Sequence, residues 1–237
     1  MFKISDQPDK FLLWGGNVPL LPGDGNYAEV IEAGNDGTVT TLVPDMVTQQ
    51  PAKGLSVLGP AGDTYSQKIL VAGGMLVHDK RTSITKPDIL WSYRVIDTSS
   101  TSPTIIVPAD SSDPNMAKFR AFHTVTLLER QMSLDDQGPR LLVAGGLTVA
   151  GTGNVYFEPQ DEVEFFLSWE ENPASAFTVH QIKGRTIGLN EPRAGHTATT
   201  LEDGTVLIVG GFSGEGFTSI SSSAEIFNPR HRNLRVE

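Results

Sequence analysis

Short apolar runs, each closed by a pair of glycines, recur at long intervals along the chain. The four runs are mostly aliphatic and stand at Phe11–Trp14, Ile69–Ala72, Leu141–Ala144 and Val206–Val209. The glycine pairs that close them are Gly15-Gly16, Gly73-Gly74, Gly145-Gly146 and Gly210-Gly211. Runs of this length indicate strands buried on both faces, and paired glycines allow positive φ and close backbone approach where a strand ends. The pattern therefore predicts four copies of one structural unit.

Further strand patterns surround each apolar run. After each glycine pair come a polar loop and a strand with an acid near its start, at Ala28–Ile31, Asp88–Trp91, Val163–Phe166 and Ala224–Phe227. The recurring acids are Glu29, Asp88, Glu164 and Glu225. A following strand is predicted at Thr38–Val43, Thr104–Val107, Ala176–Val179 and Asn233–Val236. A preceding strand is predicted at Met1–Ile4, at Gly54–Leu58 and directly after His123 and His196.

No segment shows a helical period with caps, so the chain is predicted to be all-β. Four strands repeated four times, with turns between them, are typical of the four-stranded antiparallel blades of a β-propeller. The predicted blades cover about residues 1–50, 51–115, 116–188 and 189–237 of a single domain.

Two of the units begin with the same polar signature, at Arg120-Ala121-Phe122-His123 and at Arg193-Ala194-Gly195-His196. A catalytic residue normally occurs once in a ring of repeats, whereas a residue repeated in several units usually stabilises each of them. We therefore expect the two histidines, the glycine pairs and the recurring acids to be structural. Two interpretations stay open for the arginines, an ion pair with the acid of an adjacent strand or bidentate binding of a ligand carboxylate.

This signature, the apolar run with its glycine pair, and the strand Ala224-Glu225-Ile226-Phe227-Asn228-Pro229 together resemble the repeats of kelch proteins, in the form common in bacteria. The resemblance implies a kelch-type β-propeller, and rings of that family commonly hold more blades. Three arrangements stay open: a fragment of a longer propeller, which we favour, a four-bladed ring, or an open array that another chain completes. The resemblance also favours an extracellular or cell-envelope location, although Met1–Asp6 offers no apolar signal core.

Composition narrows the function classes. The net charge of −10 argues against non-specific binding to nucleic acid, because that binding depends on lysine and arginine. The absence of cysteine excludes disulfides, zinc–thiolate sites, thiol nucleophiles and iron–sulfur clusters. No apolar run approaches the roughly 18 residues that span a membrane. Asp24–Asn26 and Asn35–Gly37 lack the ligand spacing of a calcium loop, so we expect no metal and no cofactor.

Enzymes built on similar propellers provide the alternatives. In galactose and glyoxal oxidases, a strand resembling R-x-Y-H-S supplies a tyrosine and a histidine to copper, and a second tyrosine is cross-linked to cysteine. Here Phe122 and Gly195 stand at the tyrosine position and cysteine is absent, so the copper site does not carry over. A sialic-acid mutarotase on kelch blades remains the enzymatic alternative, but no unique acid–base constellation is present and we predict no catalytic residue.

The segments after the glycine pairs are long, and long loops on a rigid scaffold are where binding residues concentrate. The candidate ligand-binding residues are His78, Arg81, Tyr156 and Phe212, with Arg120 and Arg193 under their second interpretation. We therefore predict a non-enzymatic recognition or scaffold module that binds a protein or a carbohydrate through the loops of one propeller face. A sugar-modifying enzyme is the alternative.

Overall fold

The computed structural model describes residues 2–6, 9–14, 28–34, 38–43, 55–58, 61–65, 68–78, 88–89, 93–97, 104–106, 116, 118–128, 140–151, 156–167, 180–181 and 187–228. These ranges hold strands in antiparallel sheets, one 3-10 turn at Glu215–Phe217 and no α-helix. The strands in chain order are β1 (Phe2–Asp6), β2 (Asp9–Trp14), β3 (Ala28–Ala33), β4 (Val39–Val43), β5 (Leu55–Leu58), β6 (Ala61–Tyr65), β7 (Lys68–Ala72), β8 (Met75–His78), β9 (Asp88–Ile89), β10 (Tyr93–Asp97), β11 (Thr104–Ile106), β12 (Thr124–Leu128), β13 (Arg140–Ala144), β14 (Leu147–Ala150), β15 (Tyr156–Pro159), β16 (Glu162–Leu167), β17 (His180–Gln181), β18 (Ile187–Gly188), β19 (Thr197–Thr200), β20 (Val206–Val209), β21 (Phe212–Ser213), β22 (Ser219–Ile220) and β23 (Ala224–Phe227).

Four main sheets follow one another along the chain, and within each the spatial order of the strands matches their sequence order. The first is β1-β2-β3-β4, the second β6-β7-β10-β11, the third β12-β13-β16-β17 with β18 also on β16, and the fourth β19-β20-β23. The first strands of successive sheets contact one another, β1 with β6, β6 with β12 and β12 with β19. The four sheets are therefore stacked side by side in chain order.

A small side sheet accompanies the second, third and fourth main sheets. The side sheets are β5-β8-β9, β14-β15 and β21-β22. One strand of each side sheet begins directly after a glycine pair, at Met75, Leu147 or Phe212. Isolated bridges join Ala121 to Leu147 and Ala194 to Phe212, and so tie the segment ahead of each first strand to the same hairpin. The segments predicted as long loops thus contain strands that form one repeated surface, called here the hairpin face.

The predicted apolar strands are confirmed. They form β2, β7, β13 and β20, and each is the second strand of its main sheet, between the first and third strands. In three sheets the third strand also lies where it was predicted, and its acid stands opposite the third residue of the apolar run. These pairs are Glu29 with Leu13, Glu164 with Val143 and Glu225 with Ile208.

The first strand of the second main sheet is Ala61–Tyr65, whereas the sequence predicted Gly54–Leu58. Leu55–Leu58 pairs with β8 in the side sheet, while β6 pairs with β7 in the main sheet. Tyr65 stands opposite Lys68, so a connection of only two residues joins these strands. Such a tight hairpin fixes the pairing through chain connectivity, even though Ala61-Gly62-Asp63 carries no strand pattern.

The third strand of the second main sheet also differs from the prediction. Asp88–Ile89 pairs with β8 in the side sheet, and Tyr93–Asp97 pairs with β7 in the main sheet. The register places Arg94 opposite Val71, the position that an acid holds in the other sheets. Asp88 is therefore not the counterpart of Glu29, Glu164 and Glu225. The sequence prediction of this third strand was wrong because it was based on the presence of an acid.

The fourth strands agree with the prediction in the first two sheets, at Val39–Val43 and Thr104–Ile106. In the third sheet β17 and β18 both pair with β16, while the predicted Ala176–Val179 lies outside the described residues, as does Asn233–Val236. A turn joins β19 to β20, and in it Gly204 N donates to Leu201 O at 2.8 Å. The blade boundaries stay a prediction.

One apolar core cluster among the described residues lies between the third and fourth main sheets. It is built from the runs predicted to be buried on both faces and from the strands beside them. Its members are Leu128, Leu142, Ala144, Val163, Leu189, Val206, Ile208 and Phe227. A second cluster lies at the hairpin face and joins three successive units through Met75, Ala121, Leu147 and Ala194. Burial of apolar side chains between neighbours is what holds stacked repeats together.

Candidate functional site

Arg120 is completely buried inside the third main sheet. Its Nη1 donates to the carbonyl oxygens of Gly145 at 2.7 Å and Glu162 at 3.1 Å, and its Nη2 donates to the Glu164 carboxylate at 2.5 Å. Burial lowers the pKa of Arg120 from its ordinary value, and the charge of Glu164 acts in the opposite direction. The guanidinium group thus joins the segment ahead of β12 to the glycine pair and to the third strand of the same sheet.

Arg193 makes the same contacts in the fourth main sheet. Its Nη1 donates to the carbonyl oxygens of Gly210 at 2.9 Å and Ser223 at 3.3 Å, and its Nη2 donates to the Glu225 carboxylate at 2.6 Å. Of the two interpretations of these arginines, the structure shows the ion pair. Both side chains are 0% exposed, so a ligand does not reach either guanidinium group in this conformation.

The carbonyl groups of the same arginines bind the preceding sheet. Gly74 N donates to Arg120 O at 2.9 Å, and Gly146 N donates to Arg193 O at 2.8 Å. The first glycine of each pair makes room for the contact. A Cβ atom on Gly145 would lie 2.5 Å from Arg193 O and 2.8 Å from His196 Cε1. The signature and the glycine pair are therefore two halves of one sheet–sheet junction, which explains why they recur together.

The histidines occupy these junctions but have different partners. His196 Nε2 lies 3.0 Å from Thr124 Oγ1 of the preceding sheet. Among the described residues neither ring nitrogen of His123 has a hydrogen-bond partner. The reason lies in the register, because Ala61 holds in the second sheet the position that Thr124 holds in the third. An alanine offers no hydroxyl group to His123.

Burial lowers the pKa of both histidines. The pKa of His123 lies well below 6.5, with the nearby Arg120 and His196 charges acting in the same direction as burial. The pKa of His196 falls to about 4 through burial and the charge of Arg193. Both rings are therefore neutral at physiological pH, as expected for groups packed inside a junction.

The second main sheet lacks both members of the buried ion pair. By register, Val57 stands where the third and fourth sheets have arginine, and Arg94 stands where they have glutamate. A buried carboxylate without its arginine would be costly, so the two changes are consistent with each other. Because the second sheet has no acid at this position, the sequence prediction assigned Asp88 there instead.

The remaining predicted residues are spread over the units. Tyr156 begins β15, is half-buried and pairs with Ala150 at the outer end of the third hairpin. His78 ends β8 at the corresponding level of the second side sheet, opposite Leu55. Nothing is described of the side chains of His78, Glu29 and Asp88, and Gly15, Gly16 and Arg81 lie outside the described residues.

Three phenylalanines form an aromatic patch on the hairpin face: Phe122, Phe157 and Phe217. Phe122 and Phe157 pack against the apolar cluster there, and the ring centroids of Phe157 and Phe217 lie 5.5 Å apart. Phe217 is 39% exposed. The predicted Phe212 meets Phe217 edge-on with centroids 5.4 Å apart, so it borders the patch.

Glu191 is a site residue that the sequence reasoning missed. Its Oε2 accepts hydrogen bonds from the hydroxyl groups of Ser221 at 2.7 Å and Ser223 at 2.6 Å. These serine hydrogen bonds are the main cause that lowers its pKa, with smaller contributions from Ser213 and Arg193. The sequence distinguishes Glu191 in one way: it stands two residues before Arg193, whereas the corresponding residue before Arg120 is Lys118.

In the part of the chain that the structure describes, no three His, Asp or Glu side chains are grouped to hold a metal ion. That part also contains no helix with the length and apolarity that crossing a membrane requires.

Comparison with solved structures identifies the architecture. YjhT, a kelch-type propeller, matches with a TM-score of 0.53 and 13% identity over 88% of this chain and 52% of YjhT. The chain folds as a β-propeller. A fungal alcohol oxidase of the AA5 family, solved in complex with copper, matches with a TM-score of 0.43 and 13% identity over 99% of this chain and 63% of the oxidase. Identities this low show the fold alone, and the number of blades stays a prediction.

No protein-family model and no curated protein matches the chain.

Proposed function

We propose that this propeller is a non-enzymatic recognition module whose aromatic patch on the hairpin face contacts the ligand. The partly exposed phenylalanine cluster carries the proposal. Phe157 and Phe217 lie on the third and fourth side hairpins, and Phe122 follows Ala121, which a bridge joins to the third hairpin. Little conformational freedom is therefore lost on binding. Exposed aromatic clusters of this kind mark interaction sites more often than isolated apolar residues do.

Backbone strain at two patch residues supports the same reading. Phe122 and Phe217 have φ angles of 54° and 63°, whereas the equivalent of Phe122 in the fourth unit is Gly195 with φ 65°. A bulky residue in the left-handed region costs about 1–3 kcal/mol, and such strain concentrates at functional sites. Glycine occupies this position in the neighbouring unit without that cost.

The ligand class follows from the chemistry of the patch. Phenylalanine offers apolar area without a hydrogen-bonding group, which suits an apolar side chain of a protein partner. Glu191, held by Ser221 and Ser223 just after the fourth side hairpin, supplies a fixed carboxylate beside that hairpin. We therefore propose a protein partner first. A carbohydrate that stacks on the rings is the second candidate.

An enzymatic alternative would need acid and base groups that converge on one substrate. The signature arginines and histidines lie in the sheet–sheet junctions, with both arginines ion-paired. This placement supports binding over catalysis. A mutarotase-like conversion of sugar anomers remains the competing activity and is included in the test.

The test compares the native chain with Phe217→Gly and Glu215→Ala in a pull-down, on a glycan array and in a mutarotation assay. Glycine tolerates the positive φ at position 217, so the first variant removes the ring without adding strain. Glu215→Ala changes an exposed residue of the same 3-10 turn and serves as the matched control. We expect Phe217→Gly alone to lose the captured ligand. Equal capture by all three chains would contradict the patch, and sugar turnover would contradict a binding-only role.

A further inference from the structure

One face of the fourth main sheet is apolar and exposed. Side chains alternate between the two faces of a strand, and Val206 and Ile208 of β20 pack into the core against the third sheet. Val209 points to the opposite face and is 40% exposed. Its register equivalent in the third sheet, Ala144, is 0% exposed because the fourth sheet covers it. The exposed face of the fourth sheet thus corresponds to a buried face of the third.

The glycine pair of the fourth unit shows the same contrast. At Gly73 and Gly145 an added Cβ would meet the arginine carbonyl and histidine ring of the next sheet at less than 3.0 Å. At Gly210 the nearest atom lies 3.8 Å away and belongs to the same unit. Gly74 N and Gly146 N donate to those arginine carbonyls, whereas no carbonyl among the described residues accepts from Gly211 N. Among the described residues, the fourth unit therefore has the glycine half of a junction without the other half.

The fourth side hairpin has the same exposure. Phe212 is 41% exposed, while its equivalent Leu147 is 0% exposed and packs with Ala194 of the next unit. Ile220 is 81% exposed, while its equivalent Pro159 is buried. The main sheet, the glycine pair and the hairpin thus each show the same uncovered side, which we call the open face.

We propose that the open face binds a further sheet of the same repeat, presented by an Arg-x-x-His segment. The partner's arginine carbonyl accepts the Gly211 N–H, its histidine ring covers Gly210, and the small residue after its arginine packs on Phe212. These are the contacts that Arg193, Ala194 and His196 make on the third unit. The proposed contact concerns the side of the fourth sheet and meets the aromatic patch at its border, where Phe212 packs against Phe217.

The test uses the full chain extended after Glu237 by a second copy of residues 187–228, which supplies such a sheet. Amide hydrogen exchange is followed by NMR at Gly146 and Gly211 at a concentration where sedimentation shows monomers. In the original chain we expect Gly211 to exchange at least 100-fold faster than Gly146. In the extended chain we expect exchange at Gly211 to slow at least tenfold.

Gly210→Ala in the extended chain is the discriminating variant, because its methyl group occupies the position of the added histidine ring. We expect it to restore fast exchange at Gly211. In the original chain the same substitution has no neighbour to displace, so it checks that the fourth unit still folds. Slow exchange at Gly211 in the original monomer, or unchanged exchange in the extended chain, would overturn the proposal. So would protection at Gly211 that survives Gly210→Ala.

Discussion

Gly145→Ala places a methyl group inside the junction between the third and fourth main sheets. The added Cβ lies 2.5 Å from Arg193 O and 2.8 Å from His196 Cε1, closer than the 3.0 Å that real Cβ contacts respect. Because Arg193 O is a backbone atom fixed by its bond to Gly146 N, the sheets themselves must separate. Left-handed strain of about 1 kcal/mol, overpacking of about 2 kcal/mol and a lost hydrogen bond of about 1 kcal/mol together give about 4 kcal/mol of lost stability.

Urea unfolding followed by circular dichroism measures this loss. The matched control is Gly216→Ala, because Gly216 has φ +63° against +58° at Gly145 and no atom within 4 Å of an added Cβ. The control carries only the backbone strain of about 1 kcal/mol. Equal losses in the two variants would refute the assignment of the glycine pair to the junction.

Three further substitutions test the same junctions by urea unfolding. Ala61→Thr should raise stability by about 1 kcal/mol, because the register places its hydroxyl group where it can pair with His123; a lower stability would contradict the equivalence with Thr124. The stability contribution of His196 should fall by up to about 3 kcal/mol as the pH drops from 6.5 to 4. In the folded state the pKa of His196 is about 4, so over this pH range the unfolded state binds a proton that the folded state does not. His196→Asn should reduce the slope of the pH profile over that window, because the part that His123 contributes remains, and an unchanged slope would argue against a neutral buried ring. Arg193→Met should cost about 3–5 kcal/mol by leaving Glu225 unpaired, and the double variant Arg193→Met/Glu225→Leu should recover most of that loss; additive losses would rule out a coupled pair.

The repeated features of the fold could be predicted from the sequence because each comes from local chemistry. An apolar run of four residues closed by two glycines predicts a buried strand and a close approach wherever it occurs. The prediction of the first and third strands of the second sheet failed because the features of that sheet do not come from local sequence. Arg94 stands at the acid position and Val57 at the arginine position, and only the strand register relates these two positions.

The candidate site could be predicted only in part for a similar reason. Phe212 was identified as a binding residue from its place in a long segment, but its exposure depends on whether another sheet covers it. Its equivalent Leu147 is buried, although both directly follow a glycine pair. The strained φ of Phe217 and the serine contacts of Glu191 arise from hairpins whose pairing the sequence does not reveal.

The position of the ligand-binding surface tests directly whether the repeated residues build the junctions while the aromatic patch binds the ligand. Amide chemical-shift mapping of the native chain with its captured ligand locates that surface in one experiment. We predict that the largest shifts fall on β14, β15 and residues 215–217, with small shifts at Gly74 and Gly146. Largest shifts at the junction glycines, or no shift on the hairpin face, would contradict it.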